Sequence, residues 1–402
     1  MIKKVKVEDL KIGVYLHDFN SNWKDGIIYL GQNLIQNENI IDVLKSWNVK
    51  EVSIDTERGL DVNSSKAPHK AGRETVESGQ THKFERPQVP LARELQSAKH
   101  VTQDAIQFMQ RVAQQAMEGN LPDVDSSYDL ANRMYESISR NKDALLLLTR
   151  IRTKDEYTLY HSLNVSSLVI NMCHYCQVSE SQTLDLAVGA LFHDIGKAIV
   201  PQGILSKPAS LSKEEYYEMQ RHVEHSANLL SQVKGLPSEC YDIALHHHER
   251  YDGKGYPHGL KKSEISYATQ LTSVCDVYDA ITSERCYKPG MDAVVGLKEI
   301  YEASGISFSK EVSHDFIQSV GIYPVGTSVV LANGKSGVVV SSTEDMMRPI
   351  VQVFYDEKKN ERIQPFKIDM SKTEDVISSY GDPKKFGFTS NQLLKKFLHP
   401  QS

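Results

Sequence analysis

Cysteine is scarce in this chain, with five scattered residues in 402. That scarcity excludes a disulfide framework and points to a reducing compartment. Cys173 and Cys176 form one CxxC pair. Both fall in a predicted helix and no second CxxC supplies the remaining ligands, so they are expected to be packing cysteines and not a structural zinc site. No segment approaches the roughly 18 consecutive apolar residues that a membrane-spanning helix needs. The opening Met1-Ile2-Lys3-Lys4-Val5-Lys6-Val7 lacks a signal peptide's apolar core, so a cytoplasmic protein is expected. Charge of one sign does not dominate either: the net charge of −6 argues against a general binder of polymeric nucleic acid. Asp252-Gly253-Lys254-Gly255-Tyr256-Pro257 is a loop by composition but lacks the GxGxxG form, which excludes a Rossmann-type phosphate cradle there. No receiver-type phosphorylation domain is evident. What remains is an ordinary globular composition, 40% hydrophobic and 24% charged, with room for two or three domains.

Histidine and aspartate, by contrast, sit where polar residues are unexpected. His193-Asp194-Ile195-Gly196-Lys197 ends the apolar run Leu184 to Phe192, which reads as a buried helix. A His–Asp dipeptide at a helix end is by itself most simply a hydrogen-bonded pair. Around it, however, His161 lies on a segment with helical apolar spacing (Leu159, Leu163, Ser166, Ile170). His222 follows, then His246-His247-His248-Glu249, and then Asp276, which interrupts another apolar stretch. A buried charge is costly unless paired or metal-bound, and imidazole with carboxylate suits first-row divalent metals. The constellation reads as a metal site.

The chain from about residue 153 to 325 resembles the HD-GYP subgroup of the HD phosphohydrolase superfamily. The resemblance rests on the HDIGK run at His193 to Lys197, Lys207-Pro208 followed by Leu211 and Glu214-Glu215, and His247-His248-Glu249-Arg250-Tyr251-Asp252-Gly253-Lys254-Gly255-Tyr256-Pro257. It continues through Asp276-Val277-Tyr278-Asp279-Ala280 and Arg285-Cys286-Tyr287-Lys288. It implies an all-helical catalytic bundle holding its metals between helices. It also implies cyclic dinucleotide phosphodiesterase activity, typically opening cyclic di-GMP to linear pGpG, with GMP as a further product.

Carried over by position, the resemblance makes Asp194 the bridging carboxylate. His161, His193 and Asp276 become ligands of one metal, and His222, His247 and His248 ligands of the other. His246 is left out because the family pattern is two histidines followed by Glu249; successive helical residues also point about 100° apart, so three in a row hardly converge on one ion. Family members with a third metal carry Glu four residues before the first histidine. Tyr157 stands there, so two metals, iron or manganese, are expected. Two such ions lower the pKa of a shared water, so that hydroxide exists near neutral pH, and brace the attacked phosphate. Lys197, one turn from His193, is expected to contact a phosphate oxygen; Asp194 and Lys197 are thus the catalytic candidates. Tyr256 is placed to stack on guanine, and Arg285 and Lys288 resemble the family's ligand-binding pair.

The expected fold is multi-domain and mainly α. Residues 1–61 read as a small α/β domain with strands at Val5-Lys6-Val7, Ile27-Ile28-Tyr29-Leu30 and Lys50 to Ile54 and a helix near residues 39–47; they resemble the domain often found ahead of HD-GYP units. Residues 62–91 read as a flexible linker, 92–152 as a helical connector packing on the bundle, and 153–325 as the catalytic domain. Residues 326–402 read as a small β-rich module, with strands near Val329, Val338 and Val351 and turns at Asn333-Gly334 and residues 356–360. Expected partners are a cyclic dinucleotide, a second copy paired through residues 92–118, and cyclic-di-GMP-synthesising GGDEF-type proteins. Three alternatives compete: preference for 3′,3′-cyclic GMP-AMP, a non-catalytic nucleotide sensor or docking module, and a general phosphohydrolase of nucleotide monophosphates.

Overall fold

A computed structural model describes residues 2–18, 33–35, 41, 44–45, 50–62, 88–120, 122–150, 157–283, 291–345, 347–388 and 392. The expected strand at residues 27–30, most of the helix near 39–47, most of the linker, and Arg285 and Lys288 lie outside these residues. So does the side chain of Tyr157.

Strands β1 (Ile2–Lys6), β2 (Tyr15–Asp18), β3 (Asn33–Leu34) and β4 (Glu51–Asp55) form an antiparallel sheet in the order β1-β4-β2-β3. Val5, Leu16 and Ile54 point to its buried side. Two long helices follow, α1 (Leu91–Met117) and α2 (Val124–Arg150). The apolar stripe of α1 (Ala98, Val101, Ala105, Phe108, Met109, Val112) is buried against α2 and the bundle. That stripe is thus covered within one chain, which leaves the other faces of residues 92–118 for the expected pairing of two chains. Buried Glu94 of α1 accepts from Arg140 Nε at 2.8 Å and from Ser137 Oγ at 2.8 Å, so its charge is matched.

Helix α3 (Tyr157–Tyr175) is buried without a break from His161 to Cys173, and α4 (Glu180–Phe192) packs beside it. The hydroxyls on α3 bond inward: Ser167 Oγ donates to Leu163 O, and Ser166 Oγ donates across to Ala187 O. Cys173 ends this buried run and Cys176 lies one residue past the helix, so the pair is not wholly helical. The bundle is completed by α5 (Gln202–Leu205), α6 (Lys213–Gln220), α7 (His222–Leu230), α8 (Ser238–His246), α9 (Tyr267–Thr282), α10 (Ala293–Glu302) and α11 (Lys310–Val320). Ser179, Ser212, Ser266 and Ser309 cap α4, α6, α9 and α11 with their hydroxyls, as serine at these starts should.

Strands β5 (Ser328–Leu331), β6 (Lys335–Ser341), β7 (Ile350–Asp356), β8 (Glu361–Asp369) and β9 (Ile377–Tyr380) close the described chain as an antiparallel sheet ordered β8-β7-β6-β5-β9. The mainly helical, multi-domain architecture is the expected one. Strands β8 and β9 were not expected, because β8 is a largely exposed edge without apolar alternation. One continuous apolar core joins Leu16 and Ile54 of the first sheet, Val165, Leu271 and Leu297 of the bundle, and Val329 and Val353 of the last sheet.

Candidate metal centre

Helix α4 stops at Phe192, and His193-Asp194 form the turn into a short 3-10 segment, Ile195–Ala198. Both side chains are buried. What allows that turn to lie against α7 is Gly196. A Cβ there would sit 2.2 Å from His222 O and 2.4 Å from Ser226 N, and the bare backbone N–H instead donates to Ser226 Oγ at 2.8 Å. Glycine is required here for close approach, not for its dihedral freedom. Gly255 does the same on the other side, where a Cβ would meet Glu249 Cα at 2.5 Å and His248 O at 2.6 Å.

The seven expected ligands converge. His161 comes from α3, His193 and Asp194 from the turn after α4, His222 from the start of α7, His247 and His248 from the end of α8, and Asp276 from α9. Their donor atoms fall into two groups, His161, His193 and Asp276 in one and Asp194, His222, His247 and His248 in the other, each within 4.8 Å of one another. Asp194 belongs to both by geometry. Its Oδ2 faces His161 Nε2 at 3.4 Å and His193 Nε2 at 3.3 Å, while its Oδ1 faces His222 Nε2 at 3.2 Å and His247 Nε2 at 3.7 Å. Two donors each about 2.1 Å from a common ion and at right angles lie about 3 Å apart, so these spacings suit shared coordination.

The polar bookkeeping points the same way. His193 Nε2, His222 Nε2, His247 Nε2 and Asp194 Oδ1 are buried without a hydrogen-bond partner, a costly state in the absence of an ion. The opposite nitrogens of these rings are all taken by backbone carbonyls: His193 Nδ1 by Ala190 O at 2.6 Å, His222 Nδ1 by Met219 O at 2.7 Å and His247 Nδ1 by Ile243 O at 3.1 Å. A carbonyl only accepts, so each Nδ1 carries the proton and each Nε2 presents its lone pair inward. The residues present therefore fit divalent metals.

Electrostatics keep the donors in their metal-binding forms. Burial would by itself raise the Asp194 carboxyl, but the Lys197 ammonium, with His193 and His161 beside it, holds it well below the usual carboxylate range. Asp276 is lowered against its burial by His161 and His248. Burial pushes His247 down to about 4 and, with His247 beside it, holds His248 well below its ordinary value, so both imidazoles are neutral.

Lys197, expected on a phosphate, pairs with Asp194 Oδ2. Half-buried Tyr256 places its ring 4.8 Å from that of His248, forming a wall beside the ligands. His246 turns away to Asp242 (2.7 Å) and His258 (3.0 Å), in keeping with its exclusion from the ligand set.

Two residues with structural roles in the site were not singled out from sequence. Asp279, one turn after Asp276, contacts His161 Nδ1 at 2.6 Å and also accepts from Asn164. Its signal was legible: a second aspartate one turn along the same apolar helix. Glu249 is buried and accepts the backbone N–H groups of His258, Gly259 and Leu260 at 2.7 to 3.0 Å, folding the glycine-rich loop back under the histidines. Only its adjacency to the histidines hinted at this.

Comparisons agree with the geometry. The HD domain family matches residues 130–311, and a domain of unknown function (DUF3391) matches residues 2–126. The chain is 33% identical over 376 residues to a cyclic di-GMP phosphodiesterase of Pseudomonas aeruginosa, covering 92% of this chain and 90% of that one. A 3′3′-cGAMP-specific phosphodiesterase of Vibrio cholerae is 34% identical over 37% of this chain and 34% of its own length. A cyclic di-GMP phosphodiesterase of Thermotoga maritima is 35% identical over 41% of this chain and 45% of its own. Among the described residues no helix is long and apolar enough to cross a membrane. With its histidine and aspartate donors gathered around the HDIGK turn and the GYP loop folded beneath them, the chain belongs to the HD-GYP family of HD-domain phosphohydrolases.

Proposed function

We propose that this chain is a metal-dependent cyclic dinucleotide phosphodiesterase that opens cyclic di-GMP to linear pGpG. The observation that carries the reading is Asp194, whose two oxygens diverge, Oδ2 toward the buried His161 and His193 Nε2 atoms and Oδ1 toward those of His222 and His247. His161, His193 and Asp276 would hold one ion and His222, His247 and His248 the other, with Asp194 between them; iron or manganese suits these ligands. When bound, such a pair supplies Lewis acidity, making water acidic enough to serve as nucleophile near neutral pH and offsetting phosphate charge. Attack on phosphorus in line with a ribose 3′-oxygen breaks one of the two ring linkages. The chain's part is positional and electrostatic. Backbone carbonyls fix three imidazole tautomers, and Glu249 anchors the loop that carries Tyr256. Lys197 brings one positive charge to the Asp194 edge, from which it can reach a phosphate oxygen. Tyr256 offers an aromatic face for a guanine, and Arg285 and Lys288 are assigned to substrate on their sequence positions alone.

Cyclic di-GMP is favoured as substrate because similarity to the Pseudomonas aeruginosa enzyme extends over nearly the whole chain. Similarity to the cyclic GMP-AMP enzyme is confined to about a third of it. The second nucleotide stays as the competing reading, since exchanging one guanine for adenine alters only the base-edge hydrogen bonding. The test is side-by-side turnover of cyclic di-GMP and 3′,3′-cyclic GMP-AMP by protein loaded anaerobically with iron or with manganese, with folded Asp194→Ala as control. Linear product lost in the variant supports the phosphodiesterase, and the ratio of rates names the substrate. Tight nucleotide binding without product under either metal would leave a sensor.

A further inference from the structure

Helix α2 is two rods, not one. Asn141 has extended backbone (φ −163°, ψ 101°), breaking the helix. Its Nδ2 donates to Val89 O at 2.8 Å, and its Oδ1 accepts the Asp143 N–H at 3.1 Å, so it caps a separate rod, residues 142–150. The near end of this rod is tied to the C-terminal sheet. Asp143 Oδ2 accepts the Ser342 N–H at 2.7 Å and the Ser342 hydroxyl at 2.8 Å, just past β6. Lys142 Nζ donates to Ser319 O of α11 at 2.9 Å.

The far end reaches the metal centre. Thr149 Oγ lies 2.6 Å from Asn164 Oδ1, Asn164 Nδ2 donates to Asp279, and Asp279 Oδ2 meets His161 Nδ1 at 2.6 Å. Thr149, Asn164 and Asp279 are all buried. The direction of each bond follows from what each group can do. The Asp279 carboxylate only accepts, so His161 Nδ1 carries its proton and its Nε2 keeps the lone pair facing Asp276 and Asp194. The Asn164 amide must likewise present NH2 to Asp279, leaving its oxygen toward Thr149. Thr149 has a single proton and also lies 3.2 Å from Leu146 O; it gives that proton to the shorter contact. Without that donor, nothing in this set of contacts prevents the amide from rotating and offering its oxygen to the carboxylate.

We infer that Thr149 is a positioning residue of the metal centre, and that rod 142–150 couples the C-terminal sheet to the tautomer and placement of His161. The rod is nine residues long, roughly 13 Å at 1.5 Å per residue, and it is anchored by hydrogen bonds at both ends. A displacement of the Ser342 strand end therefore reaches Asn164 through a rigid element. The inference rests on the metal reading above.

The test uses the full chain with Thr149→Val, Thr149→Ser and Asp143→Ala. The readouts are Mn²⁺ affinity by chelator competition and the His161 ring-nitrogen shifts in 15N-histidine spectra of metal-free protein. Thr149→Val is expected to weaken one of the two Mn²⁺ sites about tenfold, at the lower edge of what loss of a ligand's outer hydrogen bond costs. It should also mix the His161 tautomers and lower kcat with KM unchanged at saturating metal; Thr149→Ser should restore all three. Asp143→Ala should weaken the same site, less than additively with Thr149→Val. Two wild-type-like Mn²⁺ sites and an unshifted tautomer in Thr149→Val would overturn the positioning role, as would failure of Thr149→Ser to rescue. Strict additivity with Asp143→Ala would overturn the coupling. Should Thr149→Val not fold, Thr149→Ala removes the same hydroxyl without steric demand and carries the same outcomes. If wild-type protein binds no Mn²⁺, it is the metal reading that fails.

Discussion

Replacing Gly196 by alanine isolates one geometric claim, that the HDIGK turn must touch the backbone of α7. The added methyl would lie 2.2 Å from His222 O, 2.4 Å from Ser226 N and 2.8 Å from Ser226 Oγ. Two of these are backbone atoms and cannot swing aside. The turn and α7 would have to separate by at least about 0.8 Å before the closest contact even reached 3.0 Å. That movement also stretches the Gly196 N–H bond to Ser226 Oγ and widens the 3.2 Å spacing between His222 Nε2 and Asp194 Oδ1. Overpacking of this kind costs about 1–3 kcal/mol, and losing the buried hydrogen bond adds about 1 kcal/mol. A displacement approaching 1 Å in a catalytic array costs on the order of 100-fold in rate. We therefore expect Gly196→Ala to lose about 2–4 kcal/mol in urea unfolding followed by circular dichroism, and roughly two orders of magnitude in turnover. Gly203→Ala is the control: nothing lies within 4 Å of its added methyl, and a helical glycine replaced there should be neutral or stabilising by up to about 1 kcal/mol. Gly196→Ala protein with wild-type stability and turnover would refute the close approach and with it the placement of His193 and Asp194.

Adjacent histidines should behave oppositely: metal analysis after dialysis is expected to show His246→Ala retaining full metal, because its ring serves Asp242 and His258, while His247→Ala loses about one ion per chain. Glu249→Gln should keep its metal but lower turnover and cost about 1–3 kcal/mol, since a neutral amide serves the N–H groups of His258, Gly259 and Leu260 less well; a melting curve and kcat together check it. Burial, only partly offset by Asp143, pushes Lys142 down to about 8. Between about pH 8 and 10.5 the unfolded chain then binds more protons at this residue than the folded one, so its contribution to stability rises with pH across that window. Urea midpoints of wild type and Lys142→Met should show that slope flattened in the variant, with a gain of about 1–3 kcal/mol at pH 7.

The metal-type residues were legible because each breaks an apolar helical pattern, as His161, Asp194 and Asp276 do. The outer partners were less so. Glu249 looks like any helix-end acid until the chain folds His258, Gly259 and Leu260 back onto it. Thr149 and Asn164 are ordinary polar residues 15 positions apart whose meeting depends on how α2 and α3 pack. Strand β8 escaped because an exposed edge strand needs no alternation of apolar residues.

Local pattern alone determined the helical class of the bundle, the β character of the C-terminal region and the candidacy of the metal-type residues, while the resemblance assigned those residues to two ions. Helical periodicity and the cost of burying imidazole and carboxylate act on neighbouring residues and can be read from them. Only tertiary packing decided that Asp194 divides its oxygens between two histidine groups, that Lys197 pairs with Asp194, and that a hydroxyl on the connector helix reaches the proton of His161. Those relations join residues far apart in the chain, and their energies depend on distances of a few ångströms that are set when the helices close around one another.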